Sequence, residues 1–371
     1  MVYRAVGIMS GSSLDGLDIA FVELQQSSGK WTYELKASSC YTYDREWTDK
    51  LRNASSLTAR EYLALDTSYG HYIAEQVNRF INEHHLHYQV QLIASHGHTI
   101  FHVPSKKITS QIGNGAAIAA GTGINVVSDL RSMDIALGGQ GAPIVPIGEQ
   151  LLLGDYLFFL NLGGIANISL NDPSGYIAYD VCPANRVLNQ LSAIAGKPFD
   201  DGGQIAEKGT VIQTLLDELN ELDYYGLPYP KSLSNDFGTD IIYPMISARN
   251  SDIDHALRTY VEHICLQIEQ AAASLQATLK KSETAPQQTQ KMLVTGGGAH
   301  NHFLVERLKR LLQPLHITVE VPGEDLVNYK EAIIMALIGV LRWREENNTL
   351  ASVTGASRNS IGGAVWMGQE A

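Results

Sequence analysis

The sequence predicts a mixed α/β fold built as two lobes of similar architecture. Three observations point there. The chain of 371 residues is too long for one small core. Strand-like and helical stretches alternate along it. Each half opens with a strand, a glycine-bearing turn and a second strand, a weak internal repeat that would leave a cleft between two lobes. We place the lobes at residues 1–130 and 131–371, with the tail from about 355 free to pack back on the first.

Residues 3–9 and 17–24, rich in Val, Ile and Phe, read as strands around a polar turn, and 31–43 alternates well enough for a third. Thr58-Ala59-Arg60-Glu61 fits a capping box, and Tyr62, Leu65, Tyr69, Tyr72 and Ile73 trace one apolar stripe of the helix behind it. Short strands follow at 90–95, 108–112 and 124–128. The pattern restarts near residue 130, with strands at 156–162, 165–170 and 176–180 and a helix from Pro183 through Leu191. Helices are expected over 204–221 and 252–280, and a polar surface linker over 282–290. A strand at 291–295 then runs into three glycines, and helices over 301–312 and from Tyr329 to about Glu345 complete the pattern.

The formal charge of −12 excludes a nucleic-acid or anionic-membrane binder, since both need a basic face. It leaves room for an anionic small molecule, which one arginine or a few N–H groups can hold. Cys40, Cys182 and Cys265 are too few and too scattered for a disulfide framework, which suits a reducing cytosol. The richest apolar run, 151–162, is broken by Asp155 and too short to span a bilayer. A soluble cytoplasmic protein is expected, with no nucleic-acid or membrane partner and a homodimer left open.

Three glycine turns carry the chemistry. The first is Gly7-Ile8-Met9-Ser10-Gly11-Ser12-Ser13-Leu14-Asp15-Gly16-Leu17-Asp18. A turn so rich in Gly and Ser can present backbone N–H groups and hydroxyls to a phosphate, with Asp15 placed to orient a nucleophile or attract magnesium. An ordinary hairpin has the same composition. The second, Asn161-Leu162-Gly163-Gly164-Ile165-Ala166-Asn167, holds the equivalent place in the second half. In the third, Gly296-Gly297-Gly298 follow a strand and precede a helix. They serve no evident packing purpose and read as a flat surface for an adenosine. Neither a Walker loop nor a dinucleotide fingerprint occurs.

Asp180, at a strand end, is either a general base or a helix cap. Arg131 is either a partner for a substrate carboxylate or one half of an ion pair with Asp129 or Asp134. Gly138-Gly139-Gln140-Gly141-Ala142-Pro143 reads as a hinge or substrate loop. The group His96-Gly97-His98 with His102 lies on a strand-end loop and suits a substrate hydrogen bond better than zinc. His84, His85 and His87 end an exposed helix.

These motifs, with Ser95-His96-Gly97, Gln111-Ile112-Gly113, Asp180-x-x-Pro183-x-Asn185, Gly296 to Asn301 and Ser352-Val353-Thr354-Gly355-Ala356, resemble those of anhydro-N-acetylmuramic acid kinases, in order over nearly the whole chain. The resemblance implies two actin/hexokinase-like (ribonuclease H-like) domains with an ATP cleft between them. It implies ATP and Mg²⁺ as cofactors and conversion of 1,6-anhydro-N-acetylmuramic acid, ATP and water into N-acetylmuramic acid 6-phosphate and ADP. By the same resemblance Gly11 to Asp18 would bind the phosphates and Asp180 would be the base. His96, Arg131 and Glu331 are the expected sugar contacts. The chain departs from the family's usual Asp-Thr-Gly-Pro-Gly-Asn loop, reading Asp180-Val181-Cys182-Pro183-Ala184-Asn185. It also carries Ser12 for threonine, His98 for glutamine and Asn114 for aspartate.

Overall fold

The structure, a computed structural model, describes residues 1–11, 14–172, 175–234, 236–279 and 290–368. Ser12 and Ser13 of the first glycine turn, and nearly all of the expected linker at 282–290, lie outside the described residues; Gln290 opens a strand instead. The chain divides into two compact units, residues 1–154 with 329–371, and residues 155–328.

In the first unit, β1 (Val2–Ser10), β2 (Gly16–Ser27) and β3 (Lys30–Thr42) form an antiparallel meander. β4 (Leu92–Val103) runs parallel to β1 on its other side, with β5 (Ile108–Ile112) hairpinned onto its far end. β6 (Asn125–Ser128) continues parallel beyond β4. The capping box at Thr58 and Glu61 is formed, and its helix, Ala59–Glu83, buries Leu65, Tyr69, Ile73 and Val77 against the sheet core.

In the second unit the chain lays down β7 (Phe158–Leu162), β8 (Ile165–Asp172) and β9 (Gly175–Pro183) as a second meander. β10 (Gln290–Thr295) and β11 (Ile317–Glu320) follow in parallel. The helix Ile253–Thr278 lines the core with Leu257, Val261, Ile264 and Ile268.

Setting aside the β5 hairpin and a short C-terminal strand added beyond β6, both sheets read 3-2-1-4-5 within their unit: β3-β2-β1-β4-β6 and β9-β8-β7-β10-β11. This is the ribonuclease H-like order. Its occurrence twice in one chain is the actin/hexokinase-like composition that the family resemblance implies; the repeated strand–turn–strand openings by themselves pointed to two lobes of mixed α/β build. The turns after β1 and β7 are equivalent, as are the ends of β4 and β10. Polar groups gather at the carboxyl ends of parallel strands, where an open α/β sheet leaves room for ligands.

The units divide at 154/155 and 328/329, whereas 130/131 was the expected boundary. Residues 131–154 stay with the first unit because their helices pack on β5 and β3. The helix Glu324–Trp343 also belongs there from Tyr329 on, so the return begins well before residue 355. It lies so close to β1 that a Cβ on Gly7 would meet the Ala332 carbonyl at 1.8 Å. β12 (Ala364–Trp366) completes the return as an antiparallel partner of β6. Among the described residues no helix is long and apolar enough to cross a membrane.

Candidate active site

The first unit's site begins where β1 ends. Leu14 donates its N–H to the Gly11 carbonyl at 3.3 Å and takes a left-handed φ of +59°. Asp15 is exposed, whereas Gly16 is packed against Cys40 and the Tyr41 backbone. The Leu17 side chain is wholly buried in the core, so the chain turns only its backbone toward the loop. Asp18 points out of β2 beside Cys40, and its carboxyl is pushed up to about 6, mainly by burial, with the Asp15 and Glu331 charges adding to this.

Beside this turn is a pocket of about 170 Å³ lined by Met9, Ser10, Gly11, His96, His98, Thr99 and Arg131. The histidines sit within β4, which continues through the polar His96-Gly97-His98 stretch to Val103, so they are not on a strand-end loop as the sequence suggested. His96 is wholly buried, and burial followed by the Arg131 charge pulls its imidazole down to about 3. The neutral ring donates from Nδ1 to the Gly97 carbonyl at 2.9 Å, which leaves Nε2 to accept from Arg131 Nε at 2.9 Å. Ser10 Oγ bonds both His98 Nδ1 (2.9 Å) and Tyr43 OH (2.7 Å), tying the pocket floor to the core.

Arg131 does not pair with its near neighbours. The Asp129 carboxylate accepts from Ser132, and that of Asp134 accepts from Thr354 Oγ1 and the Gly141 N–H, each at 2.7 Å. Burial draws the Arg131 guanidinium down to about 10, with the Glu331 charge opposing the shift. Burial pushes the Glu331 carboxyl up, against the Lys330 and Arg131 charges. Engaging Nε with His96 orients the guanidinium without using its two Nη groups, the fork that receives a carboxylate.

The second unit's site lies at the carboxyl ends of β7, β9 and β10. Asp180 is three residues inside β9, at a bulge: Asn167 pairs with Asp180 and Ala166 with Cys182, so Val181 is unpaired. Its carboxylate accepts from Asn167 Nδ2 and from the Leu233 N–H, both at 2.9 Å. The helix-cap alternative is not realised, because the helix Asn185–Ile194 follows Ala184 with no side-chain cap. The departures at 180–185 fit locally. Val181, Cys182 and Ala184 are all buried in the core, and the retained Asn185 donates from Nδ2 to the Leu162 carbonyl at 2.8 Å. The Gly163 and Gly164 carbonyls accept from the Asn185 and Ala184 N–H groups, which fixes the β7–β8 turn against this loop.

Contrary to the sequence expectation of no packing purpose, two of the three glycines at 296–298 are packed. A Cβ on Gly296 (φ +81°) would lie 2.5 Å from Asn161 Oδ1, and one on Gly298 would lie 2.6 Å from Leu162 Cβ. Gly297 alone has room for a Cβ, the nearest atom being Asn185 Nδ2 at 3.7 Å. Asn114, where the family favours aspartate, caps the helix Gly115–Thr122 and also donates from Nδ2 to Asp66, which an aspartate could not do. Sequence reasoning gave no role to Asn167, Leu233, Tyr224 or Lys231. Their long-range contacts to Asp180 leave no periodic signal.

The family model described as anhydro-N-acetylmuramic acid kinase matches residues 3–368. The chain belongs to the anhydro-N-acetylmuramic acid kinase family. It is 32% identical over 372 residues to the anhydro-N-acetylmuramic acid kinase of Hydrogenovibrio crunogenus, covering 97% of each chain. It is 33% identical over 391 residues to that of Synechococcus elongatus, covering 98% of this chain and 99% of the relative. Among solved structures it is similar to the activator of the 2-hydroxyisocaproyl-CoA dehydratase from Clostridium difficile with bound ADPNP. There the TM-score is 0.45 and the identity 14%, over 92% of this chain and 96% of that one.

Proposed function

We propose that this member of the anhydro-N-acetylmuramic acid kinase family is a cytoplasmic enzyme of cell-wall recycling. It converts 1,6-anhydro-N-acetylmuramic acid, ATP and water into N-acetylmuramic acid 6-phosphate and ADP. The family match over residues 3–368 carries this reading.

In the reaction a water oxygen bonds to C1 while the C1–O6 bond breaks. O6 then takes the γ-phosphoryl group, and ADP leaves. Asp180 accepts the water's proton. Its two hydrogen bonds, from Asn167 and Leu233, fix the carboxylate and still leave lone pairs for the proton. Gly11, Leu14, Asp15 and Gly16 of the first unit's turn would bind the phosphates, and Gly163, Gly164 and Gly297 are the second unit's candidates for nucleotide contacts. Asp15 and Asp18 would hold Mg²⁺: the upward shift of Asp18, to which the like charge of Asp15 adds, fits a site completed by a cation. When bound, the ion screens phosphate charge. Arg131, aimed by His96, takes the lactyl carboxylate, and Glu331 lies within its field as a hydroxyl partner.

The purified protein should release ADP only with the anhydro sugar present, and the sugar should gain the elements of one water and one HPO₃. ADP release indifferent to the sugar, or a product lacking the added water, would overturn the assignment.

A further inference from the structure

β9 is the edge strand of its sheet, and its outward-facing donors need cover. At Asp180 that cover comes from residues 231–233, which have neither helical nor strand structure of their own. The Lys231 carbonyl accepts from the Asp180 N–H at 3.4 Å, and the Leu233 N–H donates to the Asp180 carboxylate at 2.9 Å. A segment without regular structure can aim an N–H at a carboxylate only if something else fixes it.

The Lys231 side chain does so. Its ammonium donates to the carbonyls of Tyr224 (3.2 Å) and Tyr225 (3.4 Å), in the short helical turn Asp223–Gly226. It sits 4.6 Å from the Tyr224 ring centroid and 5.7 Å from that of Tyr179, within cation–π range of both. Tyr224 closes the circuit by donating its hydroxyl to the Asp180 carbonyl at 2.6 Å. Backbone and side chain of Asp180 are thus held through one cation.

We propose that Lys231 is the positioning residue for the Asp180 carboxylate, acting through the Leu233 N–H and Tyr224 rather than by touching substrate. The inference rests on the reading of Asp180 as the water-activating base.

Lys231→Met keeps the stem and removes the ammonium. It should lower kcat roughly 10- to 100-fold, the scale of a misplacement of about 1 Å. KM for ATP and sugar should stay within about twofold, because the groups proposed to bind them are unchanged. Lys231→Arg, which keeps the charge and the ring stacking, should recover most of the loss. Hydrogen exchange at the Leu233 amide should quicken in Lys231→Met and not in Lys231→Arg. Placed on an Asp180→Asn background, Lys231→Met should cost nothing further. Tyr224→Phe, which cuts the same circuit without changing charge, should behave likewise with a smaller loss. Multiplying effects in the double variant, or a kcat per folded molecule unchanged while the melting point falls, would overturn the inference and leave Asp180 as the base. Near-normal turnover in Asp180→Asn alone would remove both, with the Leu233 exchange still reporting whether the brace exists.

Discussion

Asn167 donates from Nδ2 to Oδ1 of Asp180 at 2.9 Å, from the paired position across the β8–β9 ladder. The register shift just beyond this pair leaves Val181 as the extra residue, and a bulge of that kind re-aims the side chains next to it. With the Leu233 N–H on the other oxygen, the carboxylate is held from both sides. A carboxylate restrained in this way suits proton transfer at one defined point, because its orientation costs nothing further when the water arrives.

Asp180→Asn should therefore lose turnover by roughly 10²- to 10⁴-fold, the usual cost of removing a general base. Both present partners are donors, and an amide offers them a single oxygen, so one donor loses its acceptor. The stability cost should be about 1–3 kcal/mol, which a denaturant titration resolves and a fold this size survives. Steady-state assays and unfolding curves on the same preparation separate the two effects. Turnover within a few-fold of normal would take Asp180 out of the mechanism.

Arg131 should set which sugar is used. Its guanidinium is oriented by neutral His96, and its neighbouring aspartates are engaged elsewhere. Arg131→Ala should reduce kcat/KM for the lactyl-bearing substrate roughly 10- to 100-fold, the scale of a lost charged hydrogen bond. The same change should matter little for 1,6-anhydro-N-acetylglucosamine, which has no carboxylate. Competition between the two sugars measures the difference, and an equal loss for both would assign Arg131 a general structural role.

Much of this was legible in the sequence because it is local. The capping box at Thr58 and Glu61, the strand–turn–strand openings and the apolar stripe of the helix Ala59–Glu83 are short-range patterns, and the structure keeps them. What escaped is long-range. β4 runs on through His96-Gly97-His98 because Ser10 and β5 supply partners that no window around residue 96 contains. The return of residues 329–371 to the first unit depends on Gly7 admitting Ala332, a pairing far apart in sequence. Gly296 and Gly298 looked free of packing for the same reason: Asn161 and Leu162, which forbid a Cβ there, lie on another strand.

Asp18 gives a pH test. Its carboxyl is raised from 3.8 to about 6, chiefly by burial. A folded-state value above the unfolded one means that the native protein holds its proton more tightly. The stabilisation this gives is complete below pH 3.8 and is lost as pH rises through 6. Asp18→Asn, which cannot ionise, should therefore melt a few degrees higher than the parent at pH 7.5, with the gap closing below pH 4. Because the same carboxylate is proposed to hold Mg²⁺, the variant should also need more Mg²⁺ for half-maximal activity. A melting gap independent of pH would mean that packing, not ionisation, separates the two proteins.

The coupled chemistry is tested by where water's oxygen goes. If Asp180 delivers water to C1 while O6 takes the phosphoryl group, turnover in ¹⁸O-labelled water puts one label at C1 of the muramic acid phosphate and none in the phosphoryl group. The product must be read promptly, before exchange at the anomeric carbon erases the mark. A kinase acting at another hydroxyl would leave the anhydro bridge intact and the sugar unlabelled, since it has no need to add water. Simple hydrolysis of ATP would place the label in phosphate. The Asp180→Asn variant sharpens the result: its residual product should carry the label at the same C1 position, because the variant slows proton removal without changing which atom is attacked. Label in the phosphate with either protein would mean that water reaches the γ-phosphorus directly, and the coupling of bridge opening to phosphoryl transfer would fall.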